Sequence, residues 1–511
     1  MILALPRLGA IFACTGLALA SASGQEVDAS DSQAKAPKVH EAALSITEHS
    51  VMIDDVQIDY GATAGWLIMK DNDGEPIARF GYTSYVRQGI DAAAPRPVLF
   101  AFNGGPGSSS IWLHMGVLGP RRVVVNDGGF APPPPANVVE NPYSVLDVTD
   151  IVMIDPVGTG FSKPLGDAEG KDFWGVDQDI RSVAAFIKQY VSQEGRWASP
   201  KYLLGESYGG VRAAGLVWHL QNVHGMAMNG VALVSPFLNS GSGRDGRGID
   251  KPHVLYLAGL AATAWYHDAI EKRPDSLEDF VAEVERFAYE EYAPALLAGF
   301  TIEPEYKARI AARLAGYTGV STDFWLAADL RVSHGQFLQE LARDQRIITG
   351  RIDSRFRGPS MNPLGEAMDY DPFFPSVGPA YTAGFLSYMH GDLAFGQDET
   401  YAVSAFGVNW DWKHADPDGN RMPWADLRGD LAAAITQNPG LHVLVQQGYY
   451  DLATPVTATR HDMAHLDIPA EARERIRMAY YEAGHMMYLH EPSIAKFRKD
   501  LAAFIRDTDR L

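Results

Sequence analysis

Apolar residues follow three rhythms along this chain, and the changes between them divide it. Residues 24–40 show none, mixing alanine, serine, aspartate and lysine without period as a disordered leader does. From Ala42 to Arg87, short alternating stretches are broken by turn signals. Ser50–Tyr60, Gly65–Met69 and Ile77–Val86 read as antiparallel strands, with Asp71-Asn72-Asp73-Gly74 as a hairpin turn. Next come short, largely apolar runs: Pro97–Phe102, Asp150–Ile154, Tyr202–Leu204 and Val231–Ser235. Helical spacing lies between them, in Asp179–Gln193 (Ile180, Val183, Ala184, Phe186, Ile187, Tyr190) and in Val211–Val223. Strands that are apolar on both faces and alternate with helices predict a mostly parallel sheet covered on both sides, with the antiparallel strands at one edge. The fold class is α/β.

Between about Asn239 and Arg428 the alternation stops. Asp250–Asp268, Leu277–Leu297, Glu303–Leu314 and Thr322–Ile348 have helical patterns, and Met368–Trp412 is rich in Tyr, Phe, Trp, Gly and Pro. Alternation resumes with helix Pro423–Gln437, strands Leu441–Gln447 and Arg477–Tyr481, and a terminal helix Glu491–Asp507. The predicted organisation is an export signal over 1–23, a disordered leader over 24–40, and an α/β core in two parts, 41–239 and 431–511. A mainly helical insertion over 240–430 sits as a cap above the sheet. Its aromatics, such as Tyr370, Phe373, Phe374 and Trp412, are candidates for an apolar pocket or for core.

Composition narrows the class. With 511 residues, 46% apolar and 21% charged, the chain can bury a sizeable core. A net charge of −20 argues against nucleic acid and anionic membrane as partners, since both would repel it. Arg7, the apolar run Leu8–Ala20 and the small residues Ala20-Ser21-Ala22 have the order of a secretory signal. That run is shorter than the ~20 residues a membrane-spanning helix needs. The expectation is an exported protein, periplasmic or secreted, with no stable membrane association once the signal is cleaved. The single cysteine, Cys14, falls inside the signal, so the mature chain rests on its core rather than on cross-links. Lipidation of Cys14 is the weaker alternative, because the bulky Ile11 and Phe12 precede it.

The chemistry gathers at predicted strand ends. Tyr202–Leu204 runs into Gly205-Glu206-Ser207-Tyr208-Gly209 and then into a helix, a strand–turn–helix setting for G-x-S-x-G. A serine nucleophile needs a base, and the base needs an anionic partner. Asp451 follows Leu441–Gln447, and His485 follows Arg477–Tyr481, so Ser, Asp and His occur in the order this architecture uses, each at a strand's carboxyl end. Alone, one of 15 histidines or a turn aspartate means little, and a five-residue pattern occurs by chance in a chain with 49 glycines. Order and location together single out Ser207, Asp451 and His485. The glycine-rich loop Asn103–Gly107, at another strand end, suits an oxyanion hole. A phosphate cradle is the weaker reading, because no Lys-Ser or Lys-Thr pair follows. With no His-Glu-x-x-His and no cysteine pair, neither metal nor cofactor is expected.

These segments resemble the serine carboxypeptidases, a branch of the α/β-hydrolase fold. The resemblance rests on Asn103-Gly104-Gly105-Pro106-Gly107-Ser108-Ser109-Ser110, Asn141-Pro142-Tyr143-Ser144 and Asp155-Pro156-Val157-Gly158-Thr159-Gly160-Phe161-Ser162. It continues through Gly205–Gly210, Asp451 with Thr454-Pro455, and Gly484-His485-Met486, in the family's order. It implies Ser207 as nucleophile, His485 as general base and acid, and Asp451 as its orienter. The N–H groups of Gly105 and Tyr208 would form the oxyanion hole. Asn103, Gly104 and Glu206 would hold the substrate's terminal carboxylate. A glutamate can hydrogen-bond a carboxylate only when one of the two is protonated, so peptides should bind best in acid.

Two departures stand out. Ser108 takes a place that is cysteine in many members, and Val117 precedes Leu118-Gly119-Pro120 where the family often carries a further carboxylate-binding glutamate. Arg121 or Arg122 is a candidate substitute, although such arginines are more often surface residues. The leading reading is a serine-type carboxypeptidase acting on peptides with a free C-terminus. An esterase or acyltransferase using the same three residues is the alternative. A catalytically silent binding protein is the remote one, and the sequence leaves the oligomeric state open.

Overall fold

The computed structural model describes residues 41–509 apart from 91–94, 132–133, 244–247 and 406. The export signal read over 1–23, its Cys14 and the leader 24–40 therefore lie outside the described residues. A ten-stranded sheet runs through the remainder. Strands β1 (Ala43–Ile53), β2 (Val56–Lys70) and β3 (Pro76–Arg87) form an antiparallel meander at one edge. Strands β4 (Val98–Phe102), β5 (Asp150–Ile154), β6 (Lys201–Glu206), β7 (Gly230–Val234), β8 (His442–Gly448) and β9 (Ile476–Tyr481) follow. The spatial order is β1-β2-β3-β5-β4-β6-β7-β8-β9, with a short strand Lys163–Pro164 beside β3. Strand β5 pairs antiparallel to β3, and every neighbouring pair from β5 to β9 is parallel.

Strands β4, β5, β6 and β7 are buried along their whole length, so they carry apolar residues on both faces. Val98, Phe100 and Phe102 pack with helices α1 (Val176–Gln193) and α2 (Gly209–His224). Leu99 and Ala101 face the opposite layer, where the C-terminal helix Glu491–Thr508 contributes Phe497, Leu501 and Phe504. The segment between β7 and β8 is largely helical, with its own apolar cluster around Leu257, Val281 and Trp325. That cluster reaches Tyr449, Tyr450 and Leu452 after β8. Among the described residues no helix is long and apolar enough to cross a membrane.

Several elements differ from the sequence reading. Ser50–Tyr60 is not one strand but the hairpin between β1 and β2, turning at Asp54 and Asp55 with φ of 48° and 61°. Two successive left-handed residues are the signature of a tight hairpin turn, here supplied by aspartates rather than glycine. Thr322–Ile348 is not one helix. It ends at Ala327, where Asp329 and Leu330 take φ of 51° and 64°. A short helix His334–Glu340 with a Ser333–Gln336 capping box follows, then a strand Ile347–Thr349. The helix expected from Pro423 begins only at Arg428. A 19-residue helix, Phe373–Gly391, runs through the Gly/Pro-rich stretch despite Pro379 inside it.

Candidate active site

The carboxyl ends of β4, β5, β6, β8 and β9 lie along one edge of the parallel sheet. They deliver Asn103, Asp155, Ser207, Asp451 and His485 to that edge, where α/β sheets place their sites.

Ser207 comes directly after β6 and holds φ at 61°, a strained value for a non-glycine residue. Hydrogen bonds fix it there: its N–H donates to Val234 O at 3.0 Å, and its C=O accepts from Gly210 N at 2.8 Å and Phe237 N at 2.9 Å. The turn is tight enough that a Cβ on Gly205 would lie 2.0 Å from Gly209 O. Gly104 lies equally close to the turn, where a Cβ would come within 2.4 Å of Tyr208 N. Gly105, Ser207 and Tyr208 consequently line one cavity of about 670 Å³, together with Asn103, Glu206 and His485. Its size suits a small organic or peptidic ligand.

Asp451 is fully buried and takes donors at both oxygens. Its Oδ1 accepts the N–H groups of Ala453 at 2.8 Å and Thr454 at 2.9 Å. Its Oδ2 accepts His485 Nδ1–H at 2.8 Å and Gln447 Nε2 at 3.2 Å. With Nδ1 committed to Asp451, Nε2 is the imidazole nitrogen left for proton transfer on the cavity side. Burial opposes protonation of His485, but the charge and hydrogen bond of Asp451 outweigh it, aided by Glu206, and raise its pKa. The His485 backbone is held by its N–H to Ile352 O at 2.8 Å, and its C=O accepts Ser235 Oγ at 2.8 Å.

Glu206 is buried beside Ser207. Its Oε1 accepts Asn103 Nδ2 at 2.8 Å, and its Oε2 accepts the hydroxyl of Tyr488 at 2.7 Å. Desolvation pushes its pKa up to about 7, against the lowering influence of His485 and of these two donors. The Asn103 amide cannot be reversed without loss, because its Oδ1 accepts Leu113 N–H at 3.0 Å. Its loop is tied to Asp155, whose Oδ1 accepts Ser110 N–H at 2.8 Å. Asn141 clasps the Leu118-Gly119-Pro120 turn, donating from Nδ2 to Val117 O at 2.8 Å and Gly119 O at 2.7 Å.

The eight residues singled out from sequence are thus brought to one place. Seven line the cavity, and Asp451 stands behind His485. Val117 is buried and supplies no carboxyl group. Arg122 pairs with Glu491 at 3.0 Å, and neither it nor Arg121 lines the cavity. Phe373, Phe374 and Trp412 are lining residues; Tyr370 is not, its hydroxyl donating to Pro359 O at 3.0 Å. Sequence reasoning missed Tyr488 and Arg351. Tyr488 had one signal, its place three residues after His485, whereas Arg351 had none. Among the described residues no group of three or more His, Cys, Asp or Glu side chains is placed to hold a metal ion.

The sequence pattern of the serine carboxypeptidase family matches residues 80–248. Serine carboxypeptidase-like 36 of Arabidopsis thaliana is 29% identical over 171 residues, covering 32% of this chain and 33% of that protein. Serine-type carboxypeptidase F of Aspergillus niger is 35% identical over 109 residues, covering 21% of this chain and 18% of that protein. The matches thus span a third or less of these relatives' own lengths. Among solved structures, the prohormone-processing carboxypeptidase Kex1(Δ)p of Saccharomyces cerevisiae superposes with a TM-score of 0.52 at 15% identity, over 88% of this chain and 92% of that one. The fold is that of the α/β hydrolases.

Proposed function

We propose that this chain, which carries a serine carboxypeptidase domain over residues 80–248, releases residues from the free C-termini of peptides through an acyl-enzyme on Ser207. The observation that carries this reading is the buried Asn103–Glu206 pair next to Ser207, where burial pushes the pKa of the carboxyl group up to about 7. A carboxyl group protonated at neutral or acid pH can donate to a carboxylate that would repel an ionised glutamate. Asn103, Gly104 and Glu206 are assigned to the substrate's terminal carboxylate on that basis.

The steps follow from the roles. Ser207 Oγ attacks the scissile carbonyl while His485 Nε2 takes its proton, and Asp451 holds the imidazole in the tautomer that permits this. The N–H groups of Gly105 and Tyr208 stabilise the oxyanion. His485 returns the proton to the leaving amine, then activates water to release the acyl group. Protonation of Glu206 also removes its negative field from His485. The imidazole therefore gives up its proton more readily in the very state in which Glu206 can bind a carboxylate.

The cap assigned to 240–430 would roof the cavity and shape its preference, since Tyr256, Phe373 and Trp412 come from that segment. Export is proposed from Arg7 and the apolar run after it. Val117 favours one second reading, esterase or acyl transfer, because a missing carboxyl weakens the demand for a free C-terminus.

A serine-directed phosphonofluoridate tests the proposal. Loss of peptide hydrolysis in step with an adduct mapped to Ser207 is expected. Full hydrolysis by the labelled protein, or inactivation with Ser207 unmodified, refutes it.

A further inference from the structure

We infer that Arg351 is a second anion-recognition point of this cavity, and that the preferred substrates carry an acidic side chain on a residue flanking the scissile bond. This rests on the proposed carboxypeptidase reading, in which Asn103 and Glu206 already claim the terminal carboxylate.

Arg351 lines the same cavity as Ser207, Glu206 and His485, and is partly exposed to it. Among the described residues its guanidinium has neither a hydrogen-bond acceptor nor a carboxylate at ion-pair distance. The contrast with Arg355 is sharp: that guanidinium is buried and pairs with Asp353 and Asp127, each at 2.6 Å. Asp371 feels the Arg351 charge, but its carboxylate is used elsewhere. Its Oδ2 accepts the backbone N–H of Arg351 at 3.1 Å and of Ile352 at 3.0 Å, and its Oδ1 accepts that of Phe373 at 3.0 Å. Asp371 therefore fixes the backbone that carries Arg351 and leaves the guanidinium fork open.

The position is rigid relative to the reacting groups. Arg351 O accepts Leu452 N–H at 3.0 Å, next to Asp451, and Ile352 O accepts His485 N–H at 2.8 Å. One dipeptide thus bridges the loops that carry the proposed base and its orienter. Like burial, the Arg351 charge opposes protonation of His485, so its field reaches the proposed base. Ile352, Phe373 and Phe374 line the same cavity and are apolar, and a charge pair is stronger beside apolar walls than in bulk water. The planar fork is built for bidentate recognition of a carboxylate. A chain of net charge −20 otherwise repels acidic peptides, so a solitary guanidinium decides where such a peptide can bind.

Binding separates this inference from the catalytic reading. In Ser207→Ala protein, affinities for N-blocked dipeptides with free carboxylates are measured by calorimetry, with Glu replaced by Gln at either residue. The same peptides are assayed for turnover with Ser207 intact. The expected result is a Glu-over-Gln preference of about tenfold at one of the two positions, equivalent to about 1.4 kcal/mol, that shrinks as salt rises. Adding Arg351→Gln should bring the ratio to about one, and Arg351→Lys should keep part of it; a thermal melt confirms that each variant is folded. A ratio near one in the Arg351 protein, or a ratio unmoved by Arg351→Gln, overturns the inference. So does equal weakening of the Glu and Gln peptides, which would place Arg351 on the terminal carboxylate. Absence of turnover with the binding preference intact would instead defeat the catalytic reading and leave Arg351 standing.

Discussion

The side-chain amide of Asn103 donates to Glu206 Oε1 at 2.8 Å, joining the ends of β4 and β6 on either side of the Ser207 turn. Because Leu113 N–H holds the other end of that amide, Asn103 presents a fixed donor to a carboxyl whose pKa is pushed up to about 7. On the proposed reading, this pair would make the site sensitive to pH and to the charge on a substrate's C-terminus.

The first consequence concerns Glu206→Gln. In the parent protein, kcat/KM for a free-acid peptide should fall as pH rises through about 7, where Glu206 loses its proton and can no longer donate. The glutamine keeps an N–H donor at every pH, so the fall should disappear. The acid limb, set by His485, should move to lower pH, because the negative field that helps to raise its pKa is gone. Profiles for the free acid and the amide of one peptide check both shifts.

Tyr488→Phe moves the same profile the other way. The phenol hydroxyl donates to Glu206 Oε2 at 2.7 Å and holds the carboxyl's pKa down. Its removal should carry the alkaline limb for free-acid peptides to higher pH, at a stability cost of about 1 kcal/mol. An unmoved limb would show that Tyr488 does not act through Glu206.

Asp451→Asn should leave the fold in place and cripple turnover. An asparagine oxygen can still accept the N–H groups of Ala453 and Thr454, but its NH2 faces His485 Nδ1 and imposes the wrong tautomer. A drop in kcat of about 10⁴ with KM little changed is the expected size of that error. Stopped-flow acylation with an activated ester measures it.

Arg212 links stability to the site. It is fully buried, pairs with Asp179 at 2.7 Å and donates from Nη1 to Asn103 O at 2.7 Å. Arg212→Met strands the buried aspartate and should cost about 3–5 kcal/mol, read as a lower Tm. Free-acid peptide turnover should fall with it, since the Asn103 loop loses an anchor. Arg212→Met combined with Asp179→Leu should recover Tm but not turnover.

Much of this was legible in the sequence because the chemistry sits beside unmistakable strands. The apolar runs Pro97–Phe102 and Tyr202–Leu204 read as strands, and the strands that form, Val98–Phe102 and Lys201–Glu206, are buried on both faces, so the residues just after them stood out. Where the chain turns by other means, reading failed. Asp54 and Asp55 make a left-handed turn without glycine, and Asp329 and Leu330 break a helix that periodicity alone would continue. The helix Phe373–Gly391 holds because its apolar face is buried against the core, which outweighs the cost of its prolines and glycines. Tyr488 and Arg351 were hard to find for another reason. Their proposed roles depend on groups brought near from far away in the chain, and only the place of Tyr488 three residues after His485 hinted at either one.

The most direct measurement is the hydrolysis of one N-blocked dipeptide as its free acid, amide and ester, from acid to neutral pH. The account predicts that the free acid is cleaved in preference to the amide on the acid side, that this preference fades as pH rises through about 7, and that Ser207→Ala abolishes all three reactions to near background. Turnover of the ester alone, with no preference for a free carboxylate at any pH, would contradict it and give the lead to an esterase or acyltransferase.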